Sequence, residues 1–253
     1  MKEKLYTIPL NDALDAGDEC PLCFSQRKIE QDLMDFVLGH SASYMEADIR
    51  EMTDKAGFCR EHFKKMYDYG NTLGNAWILK THYIRTIQEM KQEFAKVKSD
   101  KPAAKGRFKK KNENNPSLGA WIKSKEHSCY ICDQFQDTYH RYLDTFLYLW
   151  TRDDEFRAKV KASKGFCLQH FGDLCEQAES QLKETNLAEF YDTLLPLMEE
   201  NMTRVAEDVA WMVEKFDYRN KDADWKNSKD AIQRGMQKMK GGYPADGPYV
   251  MPK

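Results

Sequence analysis

The segment KGFCLQHF, residues 164–171, places a glycine two positions before a cysteine and a histidine three positions after it. The chain carries a second version, AGFCREHF, at residues 56–63. Each copy is preceded by a CxxC: Cys20 and Cys23 (CPLC) lie upstream of Cys59 and His62, and Cys129 and Cys132 (CYIC) lie upstream of Cys167 and His170. A shift of 108 or 109 positions lays one half on the other and also sets Leu33 and Met34 against Tyr142 and Leu143. A period near 110 residues is too long for a solenoid repeat, so the pattern reads as duplication of a whole subdomain.

The spacing carries the chemistry. Two residues between cysteines let a tight turn aim both sulfurs at one point, and a Cys and a His at i and i+3 share one helix face. Each half therefore offers three thiolates and one imidazole, a set suited to tetrahedral Zn²⁺ with no position left open for a substrate or an activated water. Gly57 and Gly165 let the backbone approach the thiolates, and a helix starting at Cys59 or Cys167 stabilises their charge. The expectation is two structural zinc ions per chain, one held by Cys20, Cys23, Cys59 and His62 and the other by Cys129, Cys132, Cys167 and His170. An Fe–S cluster on the same ligands is the alternative, and a thiol redox pair is a weaker one, because thioredoxin-type CxxC motifs sit in a βαβ setting that this chain lacks.

Composition limits the other options. Lys and Arg total 39 against 41 Asp and Glu over 253 residues, so no whole-molecule field draws in nucleic acid or anionic lipid. The first residues, MKEKLYTIPLNDALDAGDEC, lack the apolar core of a signal peptide, and nowhere do about 18 apolar residues run together as a membrane helix needs. The expected location is the cytoplasm, with no membrane association. Reducing conditions there disfavour disulfides, which returns the seven cysteines to metal or redox chemistry.

Hydrophobic spacing predicts an all-α fold: two tandem helical lobes from an internal duplication, each closed by a Cys₃His site. Ile29, Leu33, Phe36 and Val37 follow the first CxxC, and Phe135, Tyr139, Tyr142, Phe146 and Trp150 follow the second, as core stripes. A longer stripe, Leu73, Trp77, Ile84, Ile87 and Phe94, fits a 3.5-residue repeat and also reads as core. Asn186 with Glu189 marks a helix start, and Pro196 a kink. The domains expected are a zinc-binding repeat over 1–95, a basic linker over 96–118, a second repeat over 119–216 and a polar, mobile tail over 217–253 with one short helix capped at Asn227 or Ser228 and stopped at Gly241.

The linker carries Lys96, Lys98, Lys101, Lys105, Arg107, Lys109, Lys110 and Lys111 around Phe108, a means of contacting nucleic acid, although solubility alone accounts for such a run. Glu61, between Cys59 and His62, has the form of a general base, but its counterpart is Gln169, and a duplicated active site should keep its base in both copies. His40, His82, His127, His140 and Cys175 have no counterparts and read as core or surface residues; no catalytic residue is assigned.

The doubled CPLC/CYIC with GFCREHF/GFCLQHF, joined to KFDYRNKDADWKNSKDAIQ near the end, resembles an uncharacterised family of bacterial proteins, some of which carry an automatic label of ABC transporter substrate-binding protein. The resemblance implies no activity. The label itself requires an apolar run before a lipoprotein cysteine, whereas Cys20 follows NDALDAGDE. The reading is a zinc-binding interaction or scaffolding module with a protein partner.

Overall fold

The computed structural model describes residues 4–99 and 117–244. Among these there are eleven α-helices and no strand: α1 Lys4–Asp15, α2 Pro21–Leu38, α3 Ala47–Ala56, α4 Arg60–Tyr69, α5 Thr72–Ser99, α6 Leu118–His127, α7 Tyr130–Arg152, α8 Asp154–Ala162, α9 Leu168–Gln181, α10 Glu184–Glu214 and α11 Ala231–Lys240. The order of α1 to α5 recurs in α6 to α10, with a CxxC opening the second helix of each set and a CxxH opening the fourth. Among the described residues no helix is long and apolar enough to cross a membrane.

The described chain divides into two compact units. One takes residues 4–29 with 137–244, and the other takes 30–99 with 117–136. Both divisions fall inside a helix, α2 or α7, so neither unit coincides with the halves read from the sequence. In the first unit the core is aromatic: Trp150 meets Phe190 edge-on at 5.4 Å between ring centroids, and Phe146 meets Phe156 at 5.1 Å and Phe166 at 5.8 Å. Edge-to-face pairs of this kind add about 0.5–1.5 kcal/mol beyond the area they bury. In the second unit Met34, Val37 and Leu38 of α2 pack with Phe58, Met66, Tyr69, Ile78, Tyr130 and Ile131.

Several local readings need correction. On α5 the buried face is Gly74 and Ile78, whereas Leu73, Ile84, Ile87 and Phe94 are 64%, 50%, 43% and 42% exposed. Of the stripe only Trp77 packs against the core, and the other four residues face away from it. Helix α10 starts at Glu184, with Lys183 in extended conformation before it, one turn earlier than the Asn186 signal, and Pro196 lies inside it. The 217–244 part of the tail is docked rather than mobile: Ser228, Ala231, Arg234, Gln237 and Lys238 are buried, and α11 begins three residues after Ser228. Lys96 and Lys98 belong to the last turn of α5, and the remaining linker cations, Lys101 to Lys111, lie outside the described residues.

Candidate metal centres

Two turns and two helix starts build the ligand sets. Gly57 and Gly165 adopt φ of +65° and +71°, left-handed backbone that a side chain would strain, and a Cβ on Gly57 would lie 2.7 Å from the His82 ring. These turns throw Phe58 and Phe166 into the core and deliver Cys59 and Cys167 as the N-caps of α4 and α9. At Cys20 the carbonyl accepts from the N–H of Cys23 at 3.0 Å and of Phe24 at 3.2 Å, which winds the CxxC into the first turn of α2.

All eight residues expected as ligands fall into two groups, but not in the expected pairs. Cys20 and Cys23 meet Cys167 and His170, and Cys59 and His62 meet Cys129 and Cys132, with the four ligand atoms of each group within 4.8 Å of one another. Each CxxC is thus completed by the CxxH of the other half of the sequence. Helix lengths explain the exchange. Helix α2 is 18 residues long, about 27 Å, while α3 returns over only 10, about 15 Å. His62 therefore arrives beside Glu30, seven positions and about 10 Å along α2 from Cys23, where its Nε2 lies 3.0 Å from Glu30 Oε1. The second half repeats the mismatch, with 23 residues in α7 against 9 in α8. His170 lies against Tyr139, again seven positions after the CxxC, with ring centroids 5.6 Å apart.

The donor atoms have the dimensions of a four-coordinate site. Zn–S bonds of about 2.3 Å and a Zn–N bond of about 2.0–2.1 Å give a tetrahedron with S···S edges of about 3.8 Å and S···N edges of about 3.5 Å. In the first centre the Cys23 and Cys167 sulfurs are 3.8 Å apart, and His170 Nδ1 lies 3.2, 3.5 and 3.2 Å from those of Cys20, Cys23 and Cys167. In the second, the Cys59 and Cys132 sulfurs are 3.9 Å apart, and His62 Nδ1 lies 3.2, 3.2 and 3.4 Å from those of Cys59, Cys129 and Cys132. Both histidines offer Nδ1, and all seven cysteines are free thiols.

The protons on these groups are arranged for exchange with a cation. Burial pulls the His62 imidazole down, but hydrogen bonds with Cys129 and Glu30 and the neighbouring thiolate charge outweigh it and hold its pKa at about 10; His170, beside Cys167 and Cys23, is held at about 9 in the same way. Burial pushes Cys129 up and the His62 contact brings it down to about 6. Hydrogen bonds with Cys20 and Cys23 drive Cys167 far below the usual thiol range, while burial and the adjacent thiolates raise Cys20 and Cys132.

The outer contacts of the two centres differ, and this was not read from the sequence. In the second centre the turns are tied directly: the Tyr130 N–H donates to Gly57 O at 2.9 Å and the Ser128 hydroxyl to Ala56 O at 2.6 Å. The corresponding positions at the other CxxC are Pro21, which has no N–H, and Glu19. There α11 supplies the tie. The Lys238 ammonium, 1% exposed, donates to Glu19 O at 2.6 Å and to Lys164 O, the counterpart of Ala56 O. Gln237 donates to Asp18 Oδ1 at 2.6 Å, the oxygen that also caps the Cys20 N–H at 3.0 Å. Three thiolates and a neutral imidazole would leave one net negative charge around a divalent cation, which the buried Lys238 would offset. The histidines differ too: His62 donates to a carboxylate, while His170 Nε2 is buried with no hydrogen-bond partner. The sequence signals α11 by a cap at Asn227 or Ser228 and a stop at Gly241, but its buried face is built from residues normally read as solvent-facing.

None of the other sequence candidates belongs to either ligand group. Glu61 and Gln169 are exposed, as are His40, His127 and His140. The His82 ring pairs with Asp54 O at 2.9 Å, and Cys175 is half-buried near Tyr191.

No curated protein and no solved structure matches the chain. Over residues 1–246 it matches the model of a family of unknown function, DUF6062, and it belongs to that family.

Proposed function

We propose that each Cys₃His group holds one structural Zn²⁺ and that the protein is a cytoplasmic, non-catalytic interaction module whose two sequence halves, α1 to α5 and α6 to α10, arose by duplication. The observation that carries the metal reading is the tetrahedral spacing of four ligand atoms within 4.8 Å. A polynuclear Fe–S cluster would need room for several metal and sulfide atoms between the same thiolates, and a disulfide would need sulfurs about 2.05 Å apart. Four protein donors fill a tetrahedron and leave no place for substrate. The recurrence of five helices in one order, with the ligands at matching positions, supports duplication. The interaction reading rests on the exposed Leu73, Ile84, Ile87 and Phe94 face of α5.

Chelation tests the structural role. Apparent zinc binding of about 10–16 kcal/mol in small zinc domains is comparable to the whole stability of a fold. Stripping the metal should lower the thermal midpoint by at least about 10 °C and open new cleavage sites in limited proteolysis. An unchanged midpoint and cleavage pattern would refute a structural role. For the α5 face, Ile84→Glu with Ile87→Glu should leave the midpoint in place; a fall of more than about 5 °C would show that the face is packed within the chain.

A further inference from the structure

Beside the first metal centre, α8, α10, α11 and the 226–230 segment line an open cavity of about 680 Å³, within the size range of small-molecule sites. Its charge is unbalanced: Lys161, Lys164, Arg204, Lys226, Lys229 and Arg234 face three carboxylates, Glu19, Glu200 and Asp230. Two of those carboxylates are already engaged, Glu19 with Arg204 at 2.5 Å and Asp230 with Arg234 at 2.9 Å. Lys164 donates to the neutral Gly17 carbonyl and Lys226 lies over the Trp211 ring, so neither charge is cancelled, and Lys161 and Lys229 have no acidic partner among the described residues.

At the cavity wall Arg204 is fixed from two sides, Nε donating to Asn201 Oδ1 at 3.1 Å and Nη2 to Glu19 Oε2 at 2.5 Å. Its Nη1 has no acceptor among the described residues. Asn201 and Glu19 are themselves buried. A guanidinium held this way has lost its rotamer entropy in advance and keeps free N–H groups for an oxyanion, which planar N–H pairs bind better than an ammonium does. Lys226, on the rim, has φ of +51°, a left-handed conformation that costs energy for a residue with a side chain and concentrates at ligand-binding positions. The buried Glu19 Oε1 lacks a hydrogen-bond donor, which suits a ligand carrying a hydroxyl as well as an anion. No aromatic residue lines the cavity among the described residues, so nothing there stacks a nucleobase.

We propose that this cavity binds a phosphorylated, non-aromatic small molecule, its phosphate taken by Arg204 with Lys161 and Lys229 and its hydroxyls by the polar wall. The test is calorimetric titration of the metal-loaded full-length protein at 100 mM NaCl with ribose 5-phosphate, pyrophosphate, inorganic phosphate, AMP and ribose. The expected result is saturable one-to-one binding of ribose 5-phosphate and none of ribose. Binding of pyrophosphate or phosphate as tight as that of the sugar phosphate would assign the affinity to the oxyanion alone and overturn the role of the hydroxyls. Lys161→Glu with Lys229→Glu, both at exposed positions that leave the fold intact, should weaken binding at least tenfold, whereas Lys91→Glu with Lys98→Glu on α5 should leave it unchanged. The assignment is overturned if no phosphorylated probe saturates, if the cavity pair leaves affinity unchanged, if the α5 pair weakens it equally, or if AMP binds more than tenfold tighter than ribose 5-phosphate.

Discussion

Replacing Cys20 and Cys167 together by serine removes two ligands, and whether they come from one centre or from two is the question the geometry answers. The crossed pairing puts both in the first centre with Cys23 and His170, while Cys20 with Cys59 takes one ligand from each. Apparent zinc binding of about 10–16 kcal/mol shared over four ligands is about 3–4 kcal/mol each, so losing one weakens a centre by two to three orders of magnitude. Losing two from one centre costs about 5–8 kcal/mol, or four to six orders. The assay is zinc content after equilibration with a chelator chosen to spare intact centres and to strip three-ligand ones. Cys20→Ser with Cys167→Ser should retain one zinc, and Cys20→Ser with Cys59→Ser should retain none. Limited proteolysis gives an independent reading: the first pair should open residues 16–19, 163–166 and α11, leaving residues 57–62 protected. The opposite pattern, one zinc retained by Cys20→Ser with Cys59→Ser and none by Cys20→Ser with Cys167→Ser, would refute the crossed pairing.

Three further outcomes follow from the surroundings of the centres. Glu30→Gln removes the carboxylate that orients His62 and should weaken the second centre by about 10- to 100-fold in chelator competition with no change at the first; equal loss at both would contradict the assigned contact. Affinity at the second centre should rise with pH. Free His62, held at about 10, and Cys132, raised above its usual range, both carry protons at pH 7 that the bound state lacks, so at least two protons leave per ion and affinity gains at least about 100-fold per pH unit between 7 and 9; a flat profile would contradict this. Lys238→Met deletes two charge-assisted hydrogen bonds to the turns of the first centre, worth about 1.5–3 kcal/mol each before the regained desolvation. Hydrogen exchange over residues 231–240 should accelerate and that over α4 should not; unchanged exchange in α11 would remove its role as a tie.

The ligands were legible in the sequence because their chemistry demands short, fixed spacings: Cys20 with Cys23, Cys129 with Cys132, and a Cys three before a His at positions 59 and 167. Which pair completes which depends on how far one helix outruns the next. Nothing near Cys59 in the sequence says that α3 stops beside Glu30 instead of reaching Cys23. The glycines were legible for the same local reason, since Gly57 and Gly165 do adopt the left-handed turns their place before the ligand suggested. The docking of α11 was hidden because burying Arg234 and Lys238 requires partners far away in the chain, Asp208 and Glu19 among them. The α5 stripe shows the converse limit: a heptad pattern identifies a helix face that wants covering, and Ile84 and Ile87 are left outside the chain's own core.

The most direct test of two tetrahedral Cys₃His zinc centres is elemental analysis, by mass spectrometry, of untagged full-length protein purified without added metal. Two zinc ions per chain, in a colourless protein, is the predicted result. A stoichiometry of one or none, or iron with acid-labile sulfide and absorbance near 400 nm, would contradict it.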